Sequence, residues 1–213
     1  MVKRIKKVTK NKPTRKRKKL IVVGTEGFNK SEALYLHELE KKQEVYHFLF
    51  AHGNETDPVK VVRNTAKRAK IEELSYRQGD MAISIFDLDL DNAKKSQLEE
   101  AKRIAKQKNI ELITSNPCFE VWYLEHFGYT SKPFSNNADV IRDLTKKMPG
   151  YRKNQCDIDI LYPRTDDAVN NCKRLLEYHS ENGEAHEFAN PRTDVYAVAE
   201  ILLTGVDENK SKG

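Results

Sequence analysis

Four short apolar runs, each followed by a segment with helical spacing, constrain the fold of this chain most strongly. The runs are too short for helices and rich in β-branched or aromatic residues, as buried strands are. They cover residues 20–24, 45–51, 81–86 and 110–114. Strands that alternate with helices fold through right-handed crossovers into a parallel sheet. The sequence therefore predicts an α/β fold with a mostly parallel central sheet flanked by helices.

The rest of the chain divides by composition and periodicity. Residues 1–19 form a basic segment without any acid, which we expect to be a disordered tail, and 20–127 hold the α/β core. Apolar periodicity loosens over 128–162, which we interpret as a helical insertion. Helical spacing returns over 163–204, so we expect C-terminal helices that complete the domain, and 205–213 is expected to be a flexible tail.

The basic tail accounts for the positive charge of the whole chain. Eleven of the 38 Lys and Arg residues lie in 1–19, so the remaining chain holds 27 basic against 32 acidic residues, a net charge of −5. Such a tail can neutralise phosphates and give salt-dependent, sequence-independent affinity for nucleic acid, although a solubilising arm has the same composition. The tail residues expected to bind nucleic acid are Arg15, Lys16, Arg17, Lys18 and Lys19.

The sequence also bears on location and on cysteine chemistry. No stretch approaches eighteen apolar residues and the N-terminus lacks the apolar core of a secretory signal, so we expect a cytoplasmic protein without a membrane partner. Cys118, Cys156 and Cys172 are far apart and lack CxxC spacing, which argues against a disulfide framework or a zinc knuckle. We expect all three to be buried thiols.

Acidic residues directly follow two of the predicted strands. Glu26 comes after the first strand, and Asp87 and Asp89 come after the third. Ligands of open α/β sheets bind where strands end, and carboxylate oxygens suit Mg²⁺, which takes the rest of its shell from water and phosphate. The pattern predicts an Mg²⁺ or Mn²⁺ site that acts on nucleic acid phosphates. Helix capping by the aspartates and a turn position for the glutamate are the alternative interpretation.

Further polar residues are candidates for supporting roles. Glu120 lies one turn into a predicted helix, so it is either an additional catalytic acid or a surface helix acid. Asn116 and Asn190 each precede a proline and a predicted helix, which favours structural N-caps. A folded body of net negative charge needs local basic groups where a polyanion docks. The candidates for that role are Arg152, Lys153 and Arg192.

Two motifs resemble the Toprim arrangement, in which a glutamate follows one strand and DxD follows a later strand. They are IVVGTEG at 21–27 and FDLD at 86–89. Together with SNPCFEVW at 115–122, HF at 126–127 and NPRTDV at 190–195, they make the chain similar to the RloB-like family from about residue 20 to 204. The first motif carries an extra residue before Ser31-Glu32, so the resemblance assigns no role to Glu32, nor to Asp91.

The resemblance implies a small Toprim-like protein of anti-phage, abortive-infection loci that is encoded beside an AAA-type ATPase. Glu26 would then act as general base or metal ligand, while Asp87 and Asp89 would hold Mg²⁺ against a scissile phosphate of DNA or RNA. A non-catalytic accessory subunit that binds nucleic acid or the ATPase is the alternative. Phosphotransfer ranks last because the chain lacks a GxxxxGK[ST] loop. The sequence is compatible with a homo-oligomer but does not determine the oligomeric state.

Overall fold

A computed structural model describes residues 17–27, 29–51, 53, 55–91 and 94–210, without the side chains of 205–210. Within these residues the strands are β1 Lys19–Gly24, β2 Tyr46–Phe50, β3 Met81–Asp87, β4 Glu111–Asn116 and β5 Arg192–Thr193. They form one sheet in the order β2-β1-β3-β4-β5. β1 to β4 pair in parallel, and β5 pairs antiparallel with β4. The predicted mostly parallel α/β sheet is confirmed, and its arrangement is consistent with a Toprim-like fold.

The helices of the described chain include one after each of the first four strands, as the spacing predicts. They are α1 Ser31–Glu40, α2 Pro58–Ile71, α3 Lys94–Lys108, α4 Glu120–Glu125, α5 Asn137–Lys147, α6 Ile158–Leu161, α7 Thr165–Glu181 and α8 Val195–Lys210. The side chain of Asp57 caps α2 by accepting a hydrogen bond from the backbone N–H of Val59 at 2.8 Å. None of the helices in this part of the chain has the length and apolar character that a membrane crossing requires.

Helices cover both faces of the sheet because successive strand residues point to opposite sides. On one face Val22 and Ala82 pack against Val62 of α2 and Ala101 of α3. On the other face Ile21, Val23, Ile83 and Ile85 pack in a larger core with residues of α1, α4, α7 and α8. The sheet therefore separates a small two-helix layer from a larger helical layer.

The segment predicted as an insertion, 128–162, contains α5 and α6. Its residues Val140, Leu144 and Leu161 are buried in the same core as the strands. Tyr151, which follows α5, belongs to that core as well. Apolar contact with the main core thus fixes the position of this segment relative to the sheet.

The two asparagines predicted as helix caps do other work, so that prediction is wrong. Asn116 ends β4, while α4 begins only at Glu120. The Asn116 side chain donates to the carbonyl oxygens of Phe188 and Ala189 at 2.9 and 3.0 Å. Asn190 exchanges two hydrogen bonds with the backbone of Phe134, and β5 lies between it and the start of α8. Each side-chain amide thus connects backbone segments that are distant in sequence. It can do so because an amide both donates and accepts hydrogen bonds.

Candidate active site at the carboxyl edge of the sheet

The candidate site lies at the carboxyl edge, defined as the edge of the sheet where β1, β3 and β4 end. The strand order reverses between β1 and β3, since β2 lies on one side of β1 and the later strands lie on the other. Crevices outside such a switch point are where open α/β sheets bind ligands. Glu26 follows β1 by two residues and Asp87 is the last residue of β3. The topology therefore places both predicted acids at one crevice.

The structure gathers more acids here than the motif contains. We call them the carboxylate cluster: Glu26, Glu32, Asp87, Asp89 and Glu120. Asp87 is central, because burial first, and then the charges of the other four, raise its pKa well above the usual value for an aspartate. Like charges disfavour one another's ionisation, so this cluster attracts protons or a cation.

Two glutamates of the cluster are almost withdrawn from solvent. Glu26 is 9% and Glu32 is 7% exposed. Burial raises the pKa of Glu26, although the charge of Lys94 acts in the opposite direction. Burial, with the nearby charges of Glu26 and Glu120, raises the pKa of Glu32 to about 7. The sequence reasoning assigned Glu32 no role, yet its position in the first turn of α1 brings it to the crevice.

Glu120 is buried, with 1% of its surface exposed, so it is not a surface helix acid. The hydroxyl groups of Ser31 and Tyr151 both donate to its Oε1, at 2.7 and 3.1 Å. Charge-assisted hydrogen bonds of this kind fix a carboxylate in one orientation. Glu120 therefore holds α1, α4 and the segment after α5 together beside Asp87.

Basic side chains surround the carboxylate cluster. The ammonium of Lys94 donates to the Asp87 carbonyl oxygen and to Asp89 Oδ2, both at 2.7 Å, and lies 3.8 Å from Glu26 Oε1. Burial acts to raise the pKa of Asp89, but hydrogen bonds from Lys94 and Asn137 bring it below the usual value. Lys30 and Lys153 line the same small cavity as Glu26, Glu32, Asp87 and Glu120. That cavity, about 10 Å³ in volume, has room for one water-sized group.

Comparison with known proteins agrees with the family resemblance that the sequence motifs indicate. A family model described as RloB-like protein matches residues 21–202, from β1 to α8. The chain belongs to the RloB-like family. No match was found among the curated proteins. All five residues of the carboxylate cluster lie inside the matched range.

Other predicted site residues of this RloB-like chain do not line the small cavity of the cluster. Arg192 forms an ion pair with Asp194 and donates to the His186 carbonyl oxygen, while Arg152 is exposed. Of the tail residues, Arg15 and Lys16 lie outside the described residues. Each Nη of Arg17 donates to one carboxylate oxygen of Asp80, at 3.1 and 2.8 Å. Lys18 and Lys19, next in sequence, lie with it at the amino edge of the sheet, opposite the carboxylate cluster.

The donor atoms of the RloB-like cluster suit Mg²⁺. Within the described residues, no group of three or more His, Cys, Asp or Glu side chains is arranged to hold a metal ion. Mg²⁺ needs only one or two carboxylates when waters and substrate phosphates complete its shell. Glu26 Oε1 is buried and has no hydrogen bond from any described residue, and the nearest ammonium lies 3.8 Å away. A hard, oxygen-only donor set with one such oxygen fits this ion.

Proposed function

We propose that this RloB-like chain is an Mg²⁺-dependent nuclease of the Toprim type that hydrolyses phosphodiester bonds of DNA or RNA in anti-phage, abortive-infection defence. The observation that supports this most is the carboxylate cluster, in which acids at the ends of β1 and β3 and in α1 and α4 meet at one crevice that is lined by lysines. A purely structural role for these acids has less support than metal binding, because buried like charges destabilise a fold unless they bind a proton or a cation.

Glu26, Asp87 and Asp89 are the residues that would hold Mg²⁺, or Mn²⁺ in its place. A bound Mg²⁺ supplies Lewis-acid polarisation of the scissile phosphate and lowers the pKa of a water molecule. Glu120 lies at the same crevice but is held by Ser31 and Tyr151. It would therefore keep the negative field of the crevice in place and orient its neighbours.

The chain's own residues supply proton acceptors and phosphate contacts. Glu26 is also the proposed general base for the attacking water, through the carboxylate oxygen that does not hold the ion. Glu32, with a pKa of about 7, can hold or release a proton at neutral pH beside it. Lys30 and Lys153 line the cavity and would bind the phosphate groups that flank the scissile bond.

The first test is metal binding measured by isothermal titration calorimetry. Mg²⁺ and Mn²⁺ are titrated into the full chain and into an Asp87→Asn/Asp89→Asn double variant. The control is Asp166→Asn, which removes an exposed carboxylate in the first turn of α7, away from the crevice. We expect binding by the full chain and the control but not by the double variant, and the same ranking in cleavage of DNA and RNA oligonucleotides. Equal binding by all three proteins contradicts the proposal.

A second candidate function is a non-catalytic subunit that binds nucleic acid or an AAA-type ATPase. Its support comes from the side of the molecule away from the carboxylates. A groove of about 790 Å³ between α2 and α3 is lined by apolar side chains together with basic ones, among them Arg63, Lys67, Lys70 and Lys108. Removing residues 1–16 would abolish function under this alternative but leave cleavage of short oligonucleotides intact under the nuclease proposal.

A further inference from the structure

The ammonium of Lys94 lies among oxygen atoms of the carboxylate cluster. Its ammonium contacts the carbonyl oxygen of Asp87, Asp89 Oδ2 and, at a longer distance, Glu26 Oε1. The side chain is only 12% exposed, although lysine side chains usually extend into water. One nitrogen thus faces three oxygens at the end of β1 and β3.

The surroundings of Lys94 show that local helix electrostatics do not explain its position. Lys94 is the first residue of α3, where the positive end of the helix dipole disfavours a cation. Its attraction to Glu26 and Asp89 outweighs that repulsion. Asp89 is held from its other side, since Asn137 Nδ2 donates to Oδ1 at 2.8 Å. The ammonium is therefore bound by the cluster through oxygens of stable orientation.

We propose that Lys94 is a tethered cation that neutralises the carboxylate cluster in the metal-free protein and competes with the divalent metal for Asp89 and Glu26. This inference rests on the proposed Mg²⁺ site, because two of the three oxygens around the ammonium are carboxylate oxygens of proposed metal-holding residues. A divalent ion and an ammonium cannot share these oxygens without strong repulsion. Metal binding thus requires Lys94 to leave, and its flexible four-carbon stem permits that movement.

This arrangement regulates the site through its occupancy. Without metal, the ammonium limits the repulsion among Glu26, Asp87 and Asp89 and keeps the crevice ordered. With metal, the displaced ammonium remains attached to the first turn of α3, within reach of a phosphate that enters the crevice. The free energy needed to displace Lys94 weakens metal affinity. The chain therefore binds metal most tightly when the displaced ammonium can contact a polyanion.

The test compares divalent-metal affinity in the full chain and in variants of Lys94. Mg²⁺ and Mn²⁺ are titrated by calorimetry into the wild type, Lys94→Met and Lys94→Gln, the last of which keeps a hydrogen-bond donor without the charge. The matched control is Lys95→Met, which removes an exposed lysine whose Nζ lies 5.3 Å from the centre of the Phe188 ring. We expect metal to bind both Lys94 variants on the order of tenfold more tightly than it binds the wild type or the control.

A second readout follows the metal-free protein. In EDTA, thermal unfolding of Lys94→Gln should occur at a lower temperature than that of the wild type, and added Mg²⁺ should raise its melting temperature by more. Affinity that is unchanged or weaker in both Lys94 variants, with metal still bound by the wild type, overturns the tethered cation and leaves the nuclease proposal intact. If no protein binds metal, even without the Lys94 charge, the metal site and the inference fail together.

Discussion

Glu125 ends α4 with none of its surface exposed. Neither of its carboxylate oxygens has a hydrogen-bond partner in the described part of the chain. Burial raises the pKa of this side chain to about 8, and the nearby backbone N–H of Thr130 offsets only part of that effect. The carboxyl group is therefore protonated in the folded protein at neutral pH. It is ionised in the unfolded chain above its ordinary pKa of 4.5.

The sign and size of the consequence follow from proton linkage. Between pH 4.5 and about 8 the folded state binds one more proton at Glu125 than the unfolded state does, so stability falls as the pH rises. The loss is about 1.36 kcal/mol for each pH unit. Between pH 5.5 and 7.5 this single group should remove about 2.7 kcal/mol, a large part of the free energy of unfolding of an ordinary domain.

Glu125→Gln removes this dependence, because the amide is neutral at every pH and matches the protonated carboxyl in shape. Urea unfolding followed by circular dichroism at pH 5.5, 6.5 and 7.5 measures the effect. Between pH 5.5 and 7.5, the free energy of unfolding of the variant should rise by about 2.7 kcal/mol relative to that of the wild type. For Glu177→Gln, an exposed position on α7, this difference should not change with pH. Other titrating groups, Glu32 included, contribute equally to the stability of the variant and of the wild type, so they cancel when the two free energies of unfolding are subtracted. A difference between Glu125→Gln and wild type that stays constant with pH would refute the buried, protonated carboxyl.

Three further predictions concern stability and are measured by urea unfolding. Asp80→Ala should cost about 2–4 kcal/mol, because it leaves Arg17 and the backbone N–H groups of Leu20 and Ser75 without their acceptor; a loss under 1 kcal/mol contradicts this. Gly24→Ala should cost about 1–3 kcal/mol, since the added Cβ would lie 1.9 Å from Thr65 Oγ1, and Thr65→Ala in the same chain should recover part of the loss. Trp122→Ala should cost about 3–5 kcal/mol, because a fully buried indole is lost from the core.

The parallel core was predictable because its signals are local. The run at 20–24 appears as β1 and the run at 81–86 appears as β3, which extends one residue further to Asp87. Buried parallel strands read as continuous apolar stretches, so period and length alone identify them. Cys118 and Cys172 are buried as expected, whereas Cys156 is half-buried, in a loop whose exposure no periodicity predicts.

Elements that depend on distant partners were not predictable. β5 has only two residues, Arg192 and Thr193, and exists because it pairs with Ser115 and Asn116 of β4. No apolar run marks it. Asn116 stands before a proline, as helix caps often do, yet its amide is held by carbonyl groups more than seventy residues later. Local sequence favoured the capping interpretation, and tertiary contacts decided otherwise.

The candidate site was predictable in part for the same reason. Glu26 and Asp87 follow strands, and topology alone brings strand ends to one edge. Lys94 and Glu32 lie in the first turns of helices, where a charged residue is as common on a solvated surface as in a crevice. The signal for Lys94 was weak but present, because a lysine at a helix N-terminus runs against the helix dipole. That Glu120 would be buried depended on Ser31 and Tyr151, which no spacing relates to it.

The ion pair between Arg17 and Asp80 marks the amino edge of the sheet. Both residues precede the first residues of neighbouring strands, so they lie at the edge opposite the crevice. A seven-residue strand places this edge roughly 20 Å from the crevice. A fluorescent label attached at Lys18, an exposed residue next to this ion pair, would leave the acidic crevice unobstructed. A surface that holds the protein through this residue would thus present the crevice to the solution.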